Sequence, residues 1–160
     1  MKPLRLLVLL VSLLLFWGFW GSSLLPFLGK GVDFDELEER KGIRYIRGSD
    51  TPYTGKATSR YPKGYHTTRP TLNSRKRSKG NYKNGKPHGL FVRWWPEGQK
   101  SRKVNYKDGK PHGLETQWYE TGQKKFEINY KNGRKVGLWN YWYPNGQKKL
   151  TNNNPHGRLQ

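Results

Sequence analysis

NYKNGKPHGLFVRWWPEGQKSRKV, residues 81–104, is the first of three copies of one 24-residue pattern. The second and third copies begin at Asn105 and Asn129, and they keep an Asn-Tyr opening, a Gly-Leu pair and a Trp-aromatic pair at the same offsets. A fixed period of about 20–50 residues marks a stacked array, in which one unit cannot bury its own apolar face. Arrays of this kind present binding surfaces. The period therefore predicts a repeat domain with a binding role.

Apolar residues recur at every second position after the Gly-Leu pair, and a period of two predicts β-strands. In the first copy these residues are Leu90, Val92 and Trp94. We expect this face to be the core, with Trp118 and Trp142 of the later copies stacked in register on Trp94. The opposite, open face should carry Trp95, Tyr119 and Tyr143 beside Lys and Arg.

Asn-Gly or Asp-Gly pairs recur at residues 84–85, 108–109 and 132–133. Both members of such a pair accept the positive φ that a two-residue hairpin turn requires. Each unit is therefore predicted to be a hairpin that pairs edge to edge with the next. The expected fold is all-β, an elongated antiparallel meander of stacked β-hairpin repeats, preceded by an N-terminal hydrophobic helix.

Five segments follow from these patterns and from the composition. Residues 1–30 are a signal peptide or membrane anchor, and residues 31–52 are a linker of acidic and mixed character. Residues 53–80 fit a degenerate first repeat that carries an insertion. The three full repeats span residues 81–150, and residues 151–160 form a truncated repeat or tail.

The amino-terminal segment has the features of an export signal. Lys2 and Arg5 precede the uncharged residues 6–28, which are long enough for a membrane span of about 20 apolar residues. Small residues at 21–23 suit a cleavage site, whereas tryptophans at 17 and 20 suit the interfacial anchors of an uncleaved helix. Both interpretations stay open. Either one predicts an exported protein that is membrane-anchored, secreted or periplasmic.

The charge of the chain is strongly basic. Its net charge is +20, with 31 Lys and Arg against 11 Asp and Glu. Residues 51–80 hold eight basic residues and no acidic one, and residues 81–150 hold fifteen basic and five acidic residues. A polycation favours an acidic protein, an anionic lipid or wall polymer, or nucleic acid, although the charge also promotes solubility. Nucleic acid is not the expected partner of an exported domain.

The turn glycines and the Trp-aromatic pairs resemble the MORN-repeat variant family, the bacterial YwqK-like antitoxin group, over about residues 53–150. Units of that family read approximately Tyr-x-x-Gly-x-x-x-Gly-x-x-x-x-Trp-Tyr-x-x-Gly. The resemblance implies a meander of β-hairpins and a binding role, with no catalytic residues to transfer. It also implies either an antitoxin that pairs with a toxin or a module that binds phospholipid or scaffolds other proteins. The export segment and the basic charge do not suit the antitoxin.

No recurring group of side chains predicts chemistry. His88 and His112 share one repeat position, but Val136 occupies it in the third copy, and a zinc site needs three or four converging ligands. The repeat carboxylates lie at different offsets, so no acid–base pair is held at a defined separation. The chain has no cysteine, which excludes disulfides and thiol catalysis. We therefore expect no enzyme activity, no metal and no cofactor.

The expected function is a non-enzymatic module that binds a protein or an anionic envelope partner outside the cytosol. The alternative is an antitoxin or immunity protein that neutralises a partner toxin. The residues expected to bind are aromatic and basic residues of the open face: Arg93, Trp95, Tyr119, Lys124, Lys125, Tyr143, Lys148 and Lys149.

Overall fold

The computed structural model of this protein describes residues 31–62 and 76–153. The predicted leader, residues 6–28, with its hydrophobic helix, lies outside the described residues, as do residues 63–75, which contain the expected insertion. Within the described part, no helix is long and apolar enough to span a membrane. Regular structure there consists of strands and one turn of 3-10 helix, Phe34–Glu36.

Thirteen strands occupy the described ranges. They are β1 (Val32–Asp33), β2 (Leu37–Arg40), β3 (Ile43–Ile46), β4 (Gly55–Arg60), β5 (Lys76–Lys83), β6 (Lys86–Pro87), β7 (Gly89–Trp94), β8 (Lys100–Lys107), β9 (Lys110–Pro111), β10 (Gly113–Trp118), β11 (Lys124–Lys131), β12 (Arg134–Trp142) and β13 (Lys148–Asn153).

The strands form one large sheet and one separate hairpin. In the large sheet the order is β1-β4-β5-β7-β8-β10-β11-β12-β13, with β6 paired to β5 and β9 paired to β8. Every pairing in it is antiparallel except that of β1 with β4. The second sheet is the antiparallel pair β2-β3. The predicted antiparallel meander of hairpins is confirmed.

The Asn-Gly and Asp-Gly turns adopt the backbone that the sequence predicts. The first residue of each pair has φ near 50°: Asn84 50°, Asp108 49° and Asn132 52°. The glycine that follows is also positive in φ, at 72° to 83° for Gly85, Gly109 and Gly133. Two consecutive positive φ values match the twist of the flanking strands and allow a tight hairpin.

The recurring Gly-Leu pair is a two-residue bulge. In the third copy, β12 pairs with β11 on both sides of Gly137 and Leu138 but skips these two residues. Glycine suits this place because φ of Gly137 is +67°, a region that side chains disfavour. The leucines of all three pairs face solvent, with exposed fractions of 45%, 48% and 51% for Leu90, Leu114 and Leu138.

The core lies on the face opposite to the one the alternation suggested. Val104 and Ile128 are each 2% exposed, and they pair with Phe91 and Trp139 on neighbouring strands. We call this side of the sheet the core face. The prediction that Leu90 and its alternating partners form the core was wrong for the leucines, because the bulge directs them outward and the intervening positions pack inward; Val92 and Trp94 are half-buried.

Residues 31–52, expected to be a linker, are folded instead. They supply β1, the 3-10 turn and the β2-β3 hairpin. Val32 and Leu37 are buried in one cluster with Tyr53, which precedes β4, with Ala57 of β4 and with Tyr82 of β5. Because the array cannot bury its first strands with repeats alone, this amino-terminal segment covers them.

Candidate functional site

A second set of bulges lies where the long strands enter the Pro-x-Gly or Thr-Gly corners. At each one, two residues of the later strand face a single residue of the earlier strand, as when Lys124 and Lys125 face Trp118. A bulge leaves its extra residue outside the ladder and re-aims its side chain. The four extra residues are Arg77, Ser101, Lys125 and Lys149.

Three of these bulge residues are cations that lie over the ring of a tyrosine. Their charged groups are 6.0 Å from the ring centroid for Arg77 over Tyr61, 5.6 Å for Lys125 over Tyr119 and 5.3 Å for Lys149 over Tyr143. We call these three pairs the cation-ring row. A cation within about 6 Å of an aromatic face is attracted by the ring quadrupole, so each charge is held in place while still facing solvent.

The aromatic side chain at this repeat position also joins each unit to the next. Tyr61 Oη donates a hydrogen bond to the carbonyl of Trp94 at 2.8 Å, and Tyr119 Oη donates to that of Trp142 at 3.0 Å. Between them, Trp95 Nε1 donates to the carbonyl of Trp118 at 3.2 Å. These partly buried contacts hold neighbouring hairpins together.

The role predicted from the sequence is therefore incomplete for two of the residues expected to bind. Trp95 and Tyr119 were expected to be open to a partner, but their polar atoms bond the main chain of the next unit. Of the three aromatic residues, Tyr143 is the exposed one, with an exposed fraction of 45%. Sequence periodicity identifies the position, but it does not show which polar atoms are already bonded.

The other residues expected to bind a partner lie in two different parts of the sheet. Lys124 forms an ion pair with Glu127 at 2.7 Å and lies 5.7 Å from the ring of Trp142. Lys148 is exposed and faces Trp142 across the last bulge. Arg93 is separate from all of these, because it lies on the core face opposite Arg102 of the next strand.

The core face contains an ion pair that the sequence reading missed. Arg102 Nε donates to Glu115 Oε1 at 2.7 Å, and Glu115 is only 3% exposed. Gln117 Nε2 approaches the same carboxylate oxygen at 3.3 Å. The sequence does contain a sign of this buried carboxylate, because Glu115 occupies the repeat position of Phe91 and Trp139. The sign can be recognised only once that position is known to face the core.

Ionisation of this arginine follows from its surroundings. Burial opposes the charged guanidinium of Arg102, but the hydrogen bond and the charge of Glu115 outweigh it and raise the pKa of Arg102 above its usual value. The Arg102 guanidinium therefore stays charged at neutral pH. Removing either one would leave the other buried without compensation.

The repeated histidines lie outside any cluster of three potential metal ligands among the described residues. His88 Nδ1 is 3.5 Å from Asp108 Oδ1, and the third copy supplies no histidine. Across residues 31–62 and 76–153, no three side chains of His, Cys, Asp or Glu converge in a way that could hold a metal ion.

Comparison with known families agrees with this geometry. A family model described as MORN repeat variant matches residues 87–108 and 111–132. The two matched stretches each run from the Lys-Pro strand end through the bulged strand and the corner into the next Asn-Gly or Asp-Gly turn. No curated protein matches the chain.

Proposed function

We propose that this protein is a non-enzymatic repeat module that binds an anionic partner through the cation-ring row. The observation that carries the proposal is the recurrence of a cation over an aromatic ring at one bulge position, in Arg77, Lys125 and Lys149. A scaffold alone requires the rings and the bulges. It does not require that the extra residue of the bulge be basic.

The surrounding charge supports an anionic partner. The repeats carry fifteen basic and five acidic residues, and of these acids Glu115 and Glu127 are already paired with Arg102 and Lys124. Beside Lys125 lies a shallow cleft of about 390 Å³ lined by Trp95, Trp118 and Tyr119 among others. Aromatic walls next to fixed cations suit a partner that carries both negative charge and an apolar surface.

The partner class is an acidic protein or an anionic lipid or wall polymer. The basic surplus of the repeats attracts all of these. A location outside the cytosol rests on the predicted leader, residues 6–28, and stays a proposal with it. Absence of catalytic activity and of a cofactor is likewise part of the proposal.

The experiment is a vesicle co-sedimentation series with the full-length protein. Phosphatidylglycerol and phosphatidylcholine vesicles are compared over a range of salt, so that any insertion of the leader is common to both. We expect a preference for the anionic vesicles that falls as salt rises.

Two paired variants show whether the row is responsible. Lys125→Glu with Lys149→Glu should weaken anionic binding at least about tenfold, since each basic residue near an anionic surface is worth about 1 kcal/mol. Lys107→Glu with Lys131→Glu makes the same charge change at the opposite, Asn-Gly end of the strands. Equal losses in the two pairs would show that net charge alone drives the binding.

The alternative of an antitoxin or immunity protein predicts a different result. It requires one stoichiometric protein partner, with Tyr143 as the most exposed aromatic contact. A partner protein that co-purifies through high salt, together with no vesicle preference, would favour this alternative. Tyr143→Ala should then release that partner.

A further inference from the structure

A cleft of about 570 Å³ opens on the core face where the first hairpins meet, away from the Lys125 and Lys149 bulges. Four arginines and a single carboxylate, Asp35, are among its lining residues. Its volume lies within the range of about 300–1,000 Å³ that is usual for small-molecule sites. We call it the arginine cleft.

Two of the arginines lie directly opposite each other. Arg93 of β7 and Arg102 of β8 are register partners on the same face of the sheet. Like charges directly opposite each other across a strand pair are destabilising. Arg102 is compensated by Glu115, but Arg93 has no carboxylate partner within the described residues.

The two guanidinium groups carry donors beyond the one that binds Glu115. The bond from Arg102 to Glu115 uses Nε, one of the five N–H donors of a guanidinium. Arg93 contributes a second planar fork beside the first. On its other side Arg93 faces Ser78 of β5, whose Oγ lies 2.6 Å from Ser59 Oγ. Guanidinium and hydroxyl groups therefore follow one another across the strands in a single row.

Aromatic rings form the neighbouring row of the cleft. Tyr82 and Phe91 meet edge to face with centroids 5.4 Å apart, and Phe91 meets Tyr106 in the same way at 5.1 Å. Gly80 lies beneath the Phe91 ring, and a Cβ on this glycine would approach that ring to 2.1 Å. The Phe91 ring is thus packed directly against the backbone of Gly80.

We propose that the arginine cleft binds a small phosphate monoester whose body is a planar ring, with the phosphate held between Arg93 and Arg102. A carboxylate has two oxygens and is satisfied by one guanidinium fork. Two forks and a hydroxyl match the three terminal oxygens of a phosphate monoester. The ring of the ligand packs on the row formed by Tyr82, Phe91 and Tyr106.

The experiment is calorimetric titration of the full-length protein with three probes. They are adenosine 5′-monophosphate, inorganic phosphate, which lacks the ring, and adenosine, which lacks the phosphate. We expect the monophosphate to bind more tightly than either of the other two. Equal affinity for inorganic phosphate and the monophosphate would overturn the aromatic contact, and no measurable binding of any probe would overturn the site.

Matched variants locate the contact. Arg93→Gln should weaken binding of the monophosphate by about ten- to hundredfold, the usual effect of losing a charge-assisted contact. Lys103→Gln removes the same charge from the opposite face of β8 and should leave affinity unchanged. Equal losses in both variants would show that only general charge is involved. Arg93 is exposed, so the fold should persist, and the thermal midpoint of each variant checks this.

The site is separable from the Lys125 and Lys149 pairs of the cation-ring row, whereas Arg77 and Tyr61 of that row line the cleft itself. Lys125→Glu with Lys149→Glu should leave monophosphate affinity unchanged, and Arg93→Gln should leave vesicle binding within about twofold of the parent. Should Arg93→Gln abolish vesicle binding and monophosphate binding together, the cleft would belong to a membrane surface and the small-ligand proposal would be wrong. Ser78→Ala gives a second test, because it removes a hydroxyl donor without changing charge.

Discussion

One aromatic position, occupied by residues 61, 95, 119 and 143, combines two tasks. Its ring lies under a bulge cation in three of the four units, and its polar atom bonds the next unit wherever the structure describes one. Because one side chain takes part in both contacts, the proposed recognition and the stability of the array depend on the same residues. Replacing the whole side chain would therefore confuse a binding effect with a folding effect.

A variant that loses only the tyrosine hydroxyl separates the hydrogen bond between units from the contact between ring and cation. Tyr119→Phe loses the hydrogen bond to the carbonyl of Trp142 but keeps the ring under Lys125, and should lower the free energy of unfolding by about 1 kcal/mol. Tyr143→Phe makes the same change in an exposed residue and should be nearly neutral. Urea denaturation of both variants checks this. Equal destabilisation would mean that the inter-unit hydrogen bond contributes nothing.

At the level of the strand, the Gly-Leu bulge decides which side chains are inside. The bulge leaves two residues unpaired with the preceding strand. The residue that follows the bulge, Phe91 or Trp139, then packs over the last residue of the preceding repeat. The sheet is therefore locally bent at every unit, because a bulged strand bends. The leucine of the pair remains half exposed.

Alanine substitutions distinguish the two faces. Ile128→Ala should cost about 2 to 4 kcal/mol of unfolding free energy, since the side chain is 2% exposed and its removal leaves a cavity against Trp139. Leu114→Ala removes a side chain that is 48% exposed and should cost less than about 1 kcal/mol. Chemical denaturation measures both. A larger cost for Leu114 would restore the leucine face as the core.

For the molecule as a whole, two buried tyrosines and one half-buried tyrosine couple stability to alkaline pH. Burial raises the pKa of Tyr53, Tyr82 and Tyr130 above the ordinary tyrosine value of 10.0, because the phenolate is poorly solvated in the core. The folded state therefore holds these protons more tightly than the unfolded state. The stability that they contribute is complete below about pH 10 and is lost as pH rises through the folded pKa values.

Tyr82→Phe should reduce this loss. Tyr82 is 7% exposed, and the phenylalanine variant removes one titrating group while keeping its contacts with Phe34 and Phe91. Stability measured between about pH 9 and pH 11 should fall less steeply in the variant than in the parent. Tyr143→Phe, in an exposed ring, serves as the control. Parallel curves for Tyr82→Phe and the parent would contradict the expectation.

The meander was predictable because turns and strand periods are local properties. Asn84-Gly85 and its two equivalents accept positive φ whatever surrounds them, and the 24-residue period requires equivalent units to pair in the same way. The aromatic-basic interleaving likewise pointed to residues such as Lys125 and Lys149, which the structure places over rings. These parts of the site depend on neighbours close in sequence.

The sequence by itself determined the antiparallel repeat of hairpins, the turn positions and the basic charge of this protein. Only the tertiary structure decided which face is buried, that residues 31–52 cover the first strands, and that Arg93 lies opposite Arg102, which pairs with Glu115 on the core face. The physical reason is that alternation along a strand is symmetric between its two faces. A bulge of two residues breaks that symmetry, and its effect is visible only when the preceding strand is in place.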